Sequence, residues 1–234
     1  MLEHLRQKSK EHKENVLSSQ EFIQGTKYLR SITKDFINAL RSISFYSTRA
    51  GEMYRDFFFM RVIDELIESV IAISILSEQG IYNPLKRELR YLIELSVKSV
   101  GVDYLMMGKS IDEKTIFLET SVPNSSIEFI DKYPLPFDES GNNQFRAEIK
   151  DYFYKACAYV HPSGRQLRER LERARNGNYI GFDTAKMLTE SNSLVFRAFD
   201  MILTLMFHGL CLIVAAQTTP SSDCRLNQCY ADAL

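Results

Sequence analysis

The chain has 234 residues, 45% hydrophobic, 25% charged and 12% aromatic, and 29 basic against 30 acidic side chains leave a formal net charge of −1. That composition excludes wholesale disorder, a collagen-like repeat and a polycation built to coat nucleic acid. With only 10 glycines and 6 prolines it disfavours the turn-rich all-β classes and predicts an all-α fold, an antiparallel bundle of four or five long helices.

One helical domain is expected over residues 1–217, followed by a loose polar tail at 218–234. In the N-terminal region, 1–50, Phe22, Leu29, Ile32, Phe36, Leu40 and Ile43 recur at three- and four-residue spacings, which predicts one long helix or two broken near Gly25. The central pair, 51–109, opens with Met53 to Ser77. There Phe59, Val62, Ile63, Leu66, Val70 and Ile73 form an apolar face, Arg61, Asp64, Glu65 and Glu68 fall on another, and Gly80 can cap the end. Asn83-Pro84 reads as an N-cap followed by proline at the first helical position, opening a helix that runs to about Met107 and stops near Gly108.

Between Ser110 and Gly141 the period breaks. This acidic excursion holds seven acidic and two basic residues, with capping boxes at Ser110/Glu113 and Ser125/Glu128. In the C-terminal region, 142–217, Phe145, Ile149, Tyr152, Phe153, Ala156 and Val160 restore the helical period until Pro162. Ser163 with Gln166 opens a short basic helix to about Arg175, and a last apolar helix spans roughly Thr184 to Ala216. Within it the run Met201 to Ala216 is short for a membrane span and is interrupted by Thr204, His208 and Gly209, so a core helix and no membrane are expected.

Cys157 and Cys211 fall in predicted apolar helices, where a thiol behaves as a small hydrophobe, and Cys224 and Cys229 lack the partners of a zinc site. The charged start, Met1 to Glu14, has no signal-peptide core, so a cytoplasmic location is the expectation. No glycine-rich phosphate loop, nucleophile elbow, His-Glu-x-x-His motif or paired Glu-x-x-His motif is present, and no cofactor or metal is predicted.

Three groups carry candidate chemistry. Arg87, Arg90 and Glu94 lie at successive three- and four-residue steps on one helix flank, where Arg90 and Glu94 can pair. His161 ends a helix immediately before Pro162, near Tyr154, Tyr159 and Arg165, and suits either acid–base work or the capping of free carbonyls. The short helix offers Arg165, Arg168, Arg170, Arg173 and Arg175 against Glu169 and Glu172. Guanidinium forks match phosphate, although a solvated amphipathic helix carries the same pattern.

The stretch Arg87 to Glu94, together with Tyr154 through Tyr159-Val160-His161-Pro162-Ser163, resembles a prokaryotic all-helical branch of the HEPN superfamily, over residues 50 to 215. Several branches of that superfamily act in phage defence or toxin–antitoxin systems. The resemblance implies a helical fold, a homodimer and metal-independent ribonuclease chemistry. Catalytic members carry an arginine four to six residues before a histidine, whereas Lys155 and Ala156 stand ahead of His161 here.

The expectation is therefore an RNA- or nucleotide-binding or -cleaving defence or stress protein, with His161, Arg90 and Glu94 as catalytic residues. Arg87, Arg165, Arg168, Tyr154 and Tyr159 would contact phosphate or RNA. The alternative is a non-catalytic interaction or regulatory module acting through a homodimer or a partner protein.

Overall fold

A computed structural model describes residues 2–49, 51, 55–123, 127–160, 163–175 and 185–218. Among these there is no strand, and the fold is an all-α bundle. The helices are α1 (Leu2–Ser18), α2 (Gln20–Arg49), α3 (Phe58–Arg61), α4 (Ile63–Glu78), α5 (Tyr82–Leu105), α6 (Ile111–Ser121), α7 (Phe129–Lys132), α8 (Glu139–Cys157), α9 (Gly164–Arg175) and α10 (Ala185–Thr218). The N-terminal break falls at Ser19, not Gly25. The Ser19 hydroxyl accepts from Phe22 N at 3.2 Å and donates to Val16 O, so the serine caps the new helix. Gly25 stays helical for a packing reason: a Cβ there would sit 2.8 Å from Leu188 Cδ2.

Gly80 ends α4 as expected. At φ 65° it lets Gly80 N reach Ser77 O and Ile81 N reach Leu76 O, the two bonds of a Schellman motif. The chain then enters α5 directly, with Ile81 at the N-cap, so Asn83 is already helical and contributes no cap. The Ser110/Glu113 capping box forms in full. The Ser125/Glu128 box lies outside the described residues, as does the tail 219–234. Ser163 accepts from Gln166 N at 3.2 Å, but the Gln166 side chain turns away to Ala158 O, so only half of that box exists.

The α4–α5 hairpin is antiparallel, and α8 runs antiparallel to α5, since Arg87 meets Tyr159 and Arg90 meets Phe153. It also runs antiparallel to α10, where Tyr152 Oη donates to Leu194 O and Arg197 pairs with Glu148. By contrast α2 and α10 are parallel: Asn192 Nδ2 donates to Gly25 O at 2.8 Å, and Phe36 stacks on Phe199 at 4.1 Å. The long path through α6 to α9 allows a parallel neighbour that short loops could not supply. The core is the shared apolar surface of α2, α4, α5, α8 and α10, including Phe36, Leu40, Leu66, Leu92, Ile149 and Ile202. Residues 185–212 form a helix long and apolar enough to cross a membrane, and 44% of its most apolar window is buried within the bundle.

Candidate functional site: the junction of α5, α8 and α9

Arg87 and Arg90 hold the end of α8 against α5. The last carbonyls of a helix lack intrahelical partners and carry partial negative charge. Arg87, exposed along its flank, donates Nε to Tyr159 O just beyond the end of α8. One turn on, Arg90 donates Nε to Cys157 Sγ at 3.3 Å, lies over the Phe153 ring at 4.9 Å, and reaches Glu94 Oε2 at 2.9 Å. Glu94 also accepts from Lys98 Nζ at 2.7 Å. Arg90 and Glu94 are 13% and 9% exposed, so their charges are directed at each other and at the α8 end.

The remaining candidates divide. Tyr159 is buried, donates its hydroxyl to Glu169 of α9 at 2.9 Å and lies under Lys86 Nζ at 4.0 Å. Tyr154 is exposed, with its ring edge on Phe153 at 5.5 Å. Arg168 is exposed and donates Nε to Gly164 O of its own helix. His161 and the Arg165 side chain lie outside the described residues. The structure thus joins Arg87, Arg90, Glu94 and Tyr159 in one place and leaves Tyr154 and Arg168 on the surface.

Beside this junction is an open cleft of about 200 Å³ lined by Lys86, Leu89, Asp151, Tyr152, Lys155, Ala156, Tyr159 and Leu194. It is smaller than the ~300–1,000 Å³ of a site that engulfs a drug-sized molecule, and matches one base or one sugar phosphate. Two lysines and two tyrosines share its wall with Asp151 and the small and aliphatic Leu89, Ala156 and Leu194. Lys155 pairs with Asp151 at 2.7 Å in an exposed i,i+4 contact that a stronger anion could displace. Burial pushes the Tyr152 phenol well above its ordinary range, so it remains a neutral donor to Leu194 O.

Sequence reasoning missed Lys86, Tyr152 and Lys155 as a group. The Asp151/Lys155 spacing was readable, but only tertiary packing brings Lys86 opposite it. Also missed was a sealed ion pair at the other end of α5. Asp103 accepts from Phe58 N at 2.7 Å and Phe59 N at 2.9 Å, and pairs with Lys114 Nζ at 2.9 Å, which also donates to Asp56 O. Burial raises the Asp103 carboxyl above its ordinary value, while Lys114 and the two amides pull the other way. The acidic stripe of α4 is solvated: Asp64, Glu65 and Glu68 are exposed, and Glu65 accepts from Tyr91 Oη. Tyr91 is held above its usual range by burial first and then by that bond. Among the described residues no group of three or more His, Cys, Asp or Glu could hold a metal ion. No family model, curated protein or solved structure matches the chain.

Proposed function

We propose that this chain is a cytoplasmic HEPN-like protein of a prokaryotic defence or stress system that binds RNA or a nucleotide through the cleft between α5, α8 and α10. The observation that carries this reading is that Lys86 and Lys155 line one small cleft together with Tyr152 and Tyr159. Ammonium groups attract phosphate as point charges, and aromatic faces accept bases without reading their sequence. Arg90 and Glu94 act as positioning residues that fix the α8 end, and Arg87, bonded to Tyr159 O, adds positive charge next to the cleft-lining Tyr159. In the catalytic form of this reading His161 moves the proton while the arginines stabilise charge developing on phosphate.

The test is titration of the purified full chain with a fluorescent RNA oligonucleotide and with mononucleotides, beside Lys86→Ala with Lys155→Ala and beside His161→Ala. Affinity should fall about tenfold or more in the double variant and decline with salt. Unchanged affinity rejects the cleft. Cleavage that persists in His161→Ala rejects the catalytic role of that histidine.

A second reading, a module acting through protein contacts, is favoured by Leu167 and Leu171 of α9, which are 60% and 51% exposed.

A further inference from the structure

The sides of α9 are reversed relative to an ordinary surface helix. Its polar side faces its own protein: Gln166 is buried and donates to Ala158 O at 3.1 Å, and Glu169 accepts from Tyr159 Oη. Leu167 and Leu171, at i,i+4 on the opposite side, are 60% and 51% exposed. Rolling them inward would break both of those bonds, so the stripe is held outward. Helical geometry sets the exposed Arg168 and Arg175 along one border of it and Arg170 along the other. With Glu169 turned onto Tyr159, these three arginines are opposed on the exposed side by Glu172. A surface helix ordinarily turns its apolar stripe inward, so outward leucines bordered by arginines mark an uncovered contact.

An RNA backbone would engage the arginines, but it gains nothing from the leucines and finds no aromatic ring on this helix to stack a base. A protein partner would bury the leucines, yet a stable interface covers ~800 Å² per partner, and two leucines on one short helix supply a small part of that. A bilayer surface needs no matching shape. Leucines enter the boundary between headgroups and acyl chains, and arginines on both sides lay their methylene stems along it while the guanidinium groups reach lipid phosphate. That occupant uses the leucines and the arginines together.

We propose that α9 docks this protein on an anionic membrane surface, with Leu167 and Leu171 entering the headgroup boundary and Arg168, Arg170 and Arg175 meeting acidic lipid headgroups on both flanks. The helix lies on the bilayer and does not cross it. The bonds of Gln166 and Glu169 to the end of α8 set its orientation before any lipid is met, so docking does not require the helix to fold or turn over. This inference is independent of the phosphate-binding cleft. It competes with a protein partner for the same two leucines, and the experiment separates the two.

The chain has no tryptophan, so Leu171→Trp places a single indole in the stripe. Its emission should move to the blue, and be quenched by brominated acyl chains, with mixed vesicles of phosphatidylcholine and phosphatidylglycerol but not with phosphatidylcholine alone. In sedimentation the full chain should bind the mixed vesicles, less so as salt rises. Leu167→Gln with Leu171→Gln should weaken this binding about tenfold, and Arg168→Gln and Arg175→Gln about fivefold each, with helicity unchanged by circular dichroism. Failure to bind the mixed vesicles overturns the proposal, as does equal binding to phosphatidylcholine, an unchanged indole emission, or a leucine variant that sediments like the wild type. RNA binding lost in the arginine variants while vesicles are ignored also overturns it, and so does a dimer that the leucine variant dissolves in the absence of lipid.

Discussion

At the C-terminal end of α5, Asp103 and Lys114 are 5% and 1% exposed, and both carboxylate oxygens and the ammonium find protein partners. Toward the N-terminal end of the same helix, Arg90 and Glu94 are also paired, but Arg87 stands in solvent one turn earlier and a cleft opens alongside. The chemistry is similar and the surroundings differ. A charge pair enclosed on every side locks α3 and α6 to the core. A pair at the border of a cleft holds a wall of which one side faces that cleft.

The sharpest way to break the comparison is to remove one partner of the sealed pair. Lys114→Met or Asp103→Asn should cost about 3–5 kcal/mol in urea unfolding, because the remaining group stays buried with its polar partners lost. Replacing both with apolar residues should recover only part, as the Phe58 and Phe59 amides stay unpaired. Glu94→Gln should cost less, about 1.5–3 kcal/mol, with Arg90 and Lys98 able to reach water. If the two losses came out equal, the distinction between sealed and open ends would fail.

Between the clusters lies Gly101, where a Cβ would stand 2.8 Å from Phe129 Cβ. Gly101→Ala should cost about 1–3 kcal/mol by pushing α7 off α5. A smaller effect is expected from His208, whose ring packs on Tyr133 at 5.9 Å and whose Nε2 is buried with no hydrogen-bond partner among the described residues. Burial lowers its pKa below 6.5, with the Pro134 backbone bond opposing this. The unfolded chain thus takes up the proton first, and this contribution, full above pH 6.5, is lost as pH falls toward the folded value. Unfolding midpoints of wild type and His208→Gln should converge as the solution is acidified. Smallest of all, Lys155→Ala should change stability by less than about 1 kcal/mol while weakening ligand binding.

Helical periodicity made most of the bundle legible, because α2, α4, α5, α8 and α10 each repeat apolar residues every three or four positions. Glycine chemistry located the end of α4, and the Ser110/Glu113 spacing located the start of α6. The Arg90–Glu94 pair was readable because both residues sit on one helix. The Asp103–Lys114 pair was not, since nothing local tells a buried lysine from a solvated one. Asp103, Lys114 and their partners Asp56, Phe58 and Phe59 come from three separate segments. In the N-terminal region the pattern allows one long helix or two broken near Gly25, because glycine weakens helices. There it serves close approach of α10, while the polar Ser19 ends one helix and starts the next. The direction in which α9 faces was equally hidden, since amphipathicity gives a helix two sides and tertiary contacts alone choose between them.

The hydrogen bond from Asn192 to Gly25 joins residues 167 apart. Bonds of that span close late, because the chain must surrender the entropy of a long loop before the contact forms. During synthesis the apolar side of α2, with Phe36 among its residues, therefore emerges long before the helix that covers it. Until α10 is made, Phe36 lacks the ring it stacks on, and apolar surface of that kind is what favours aggregation of partly made chains.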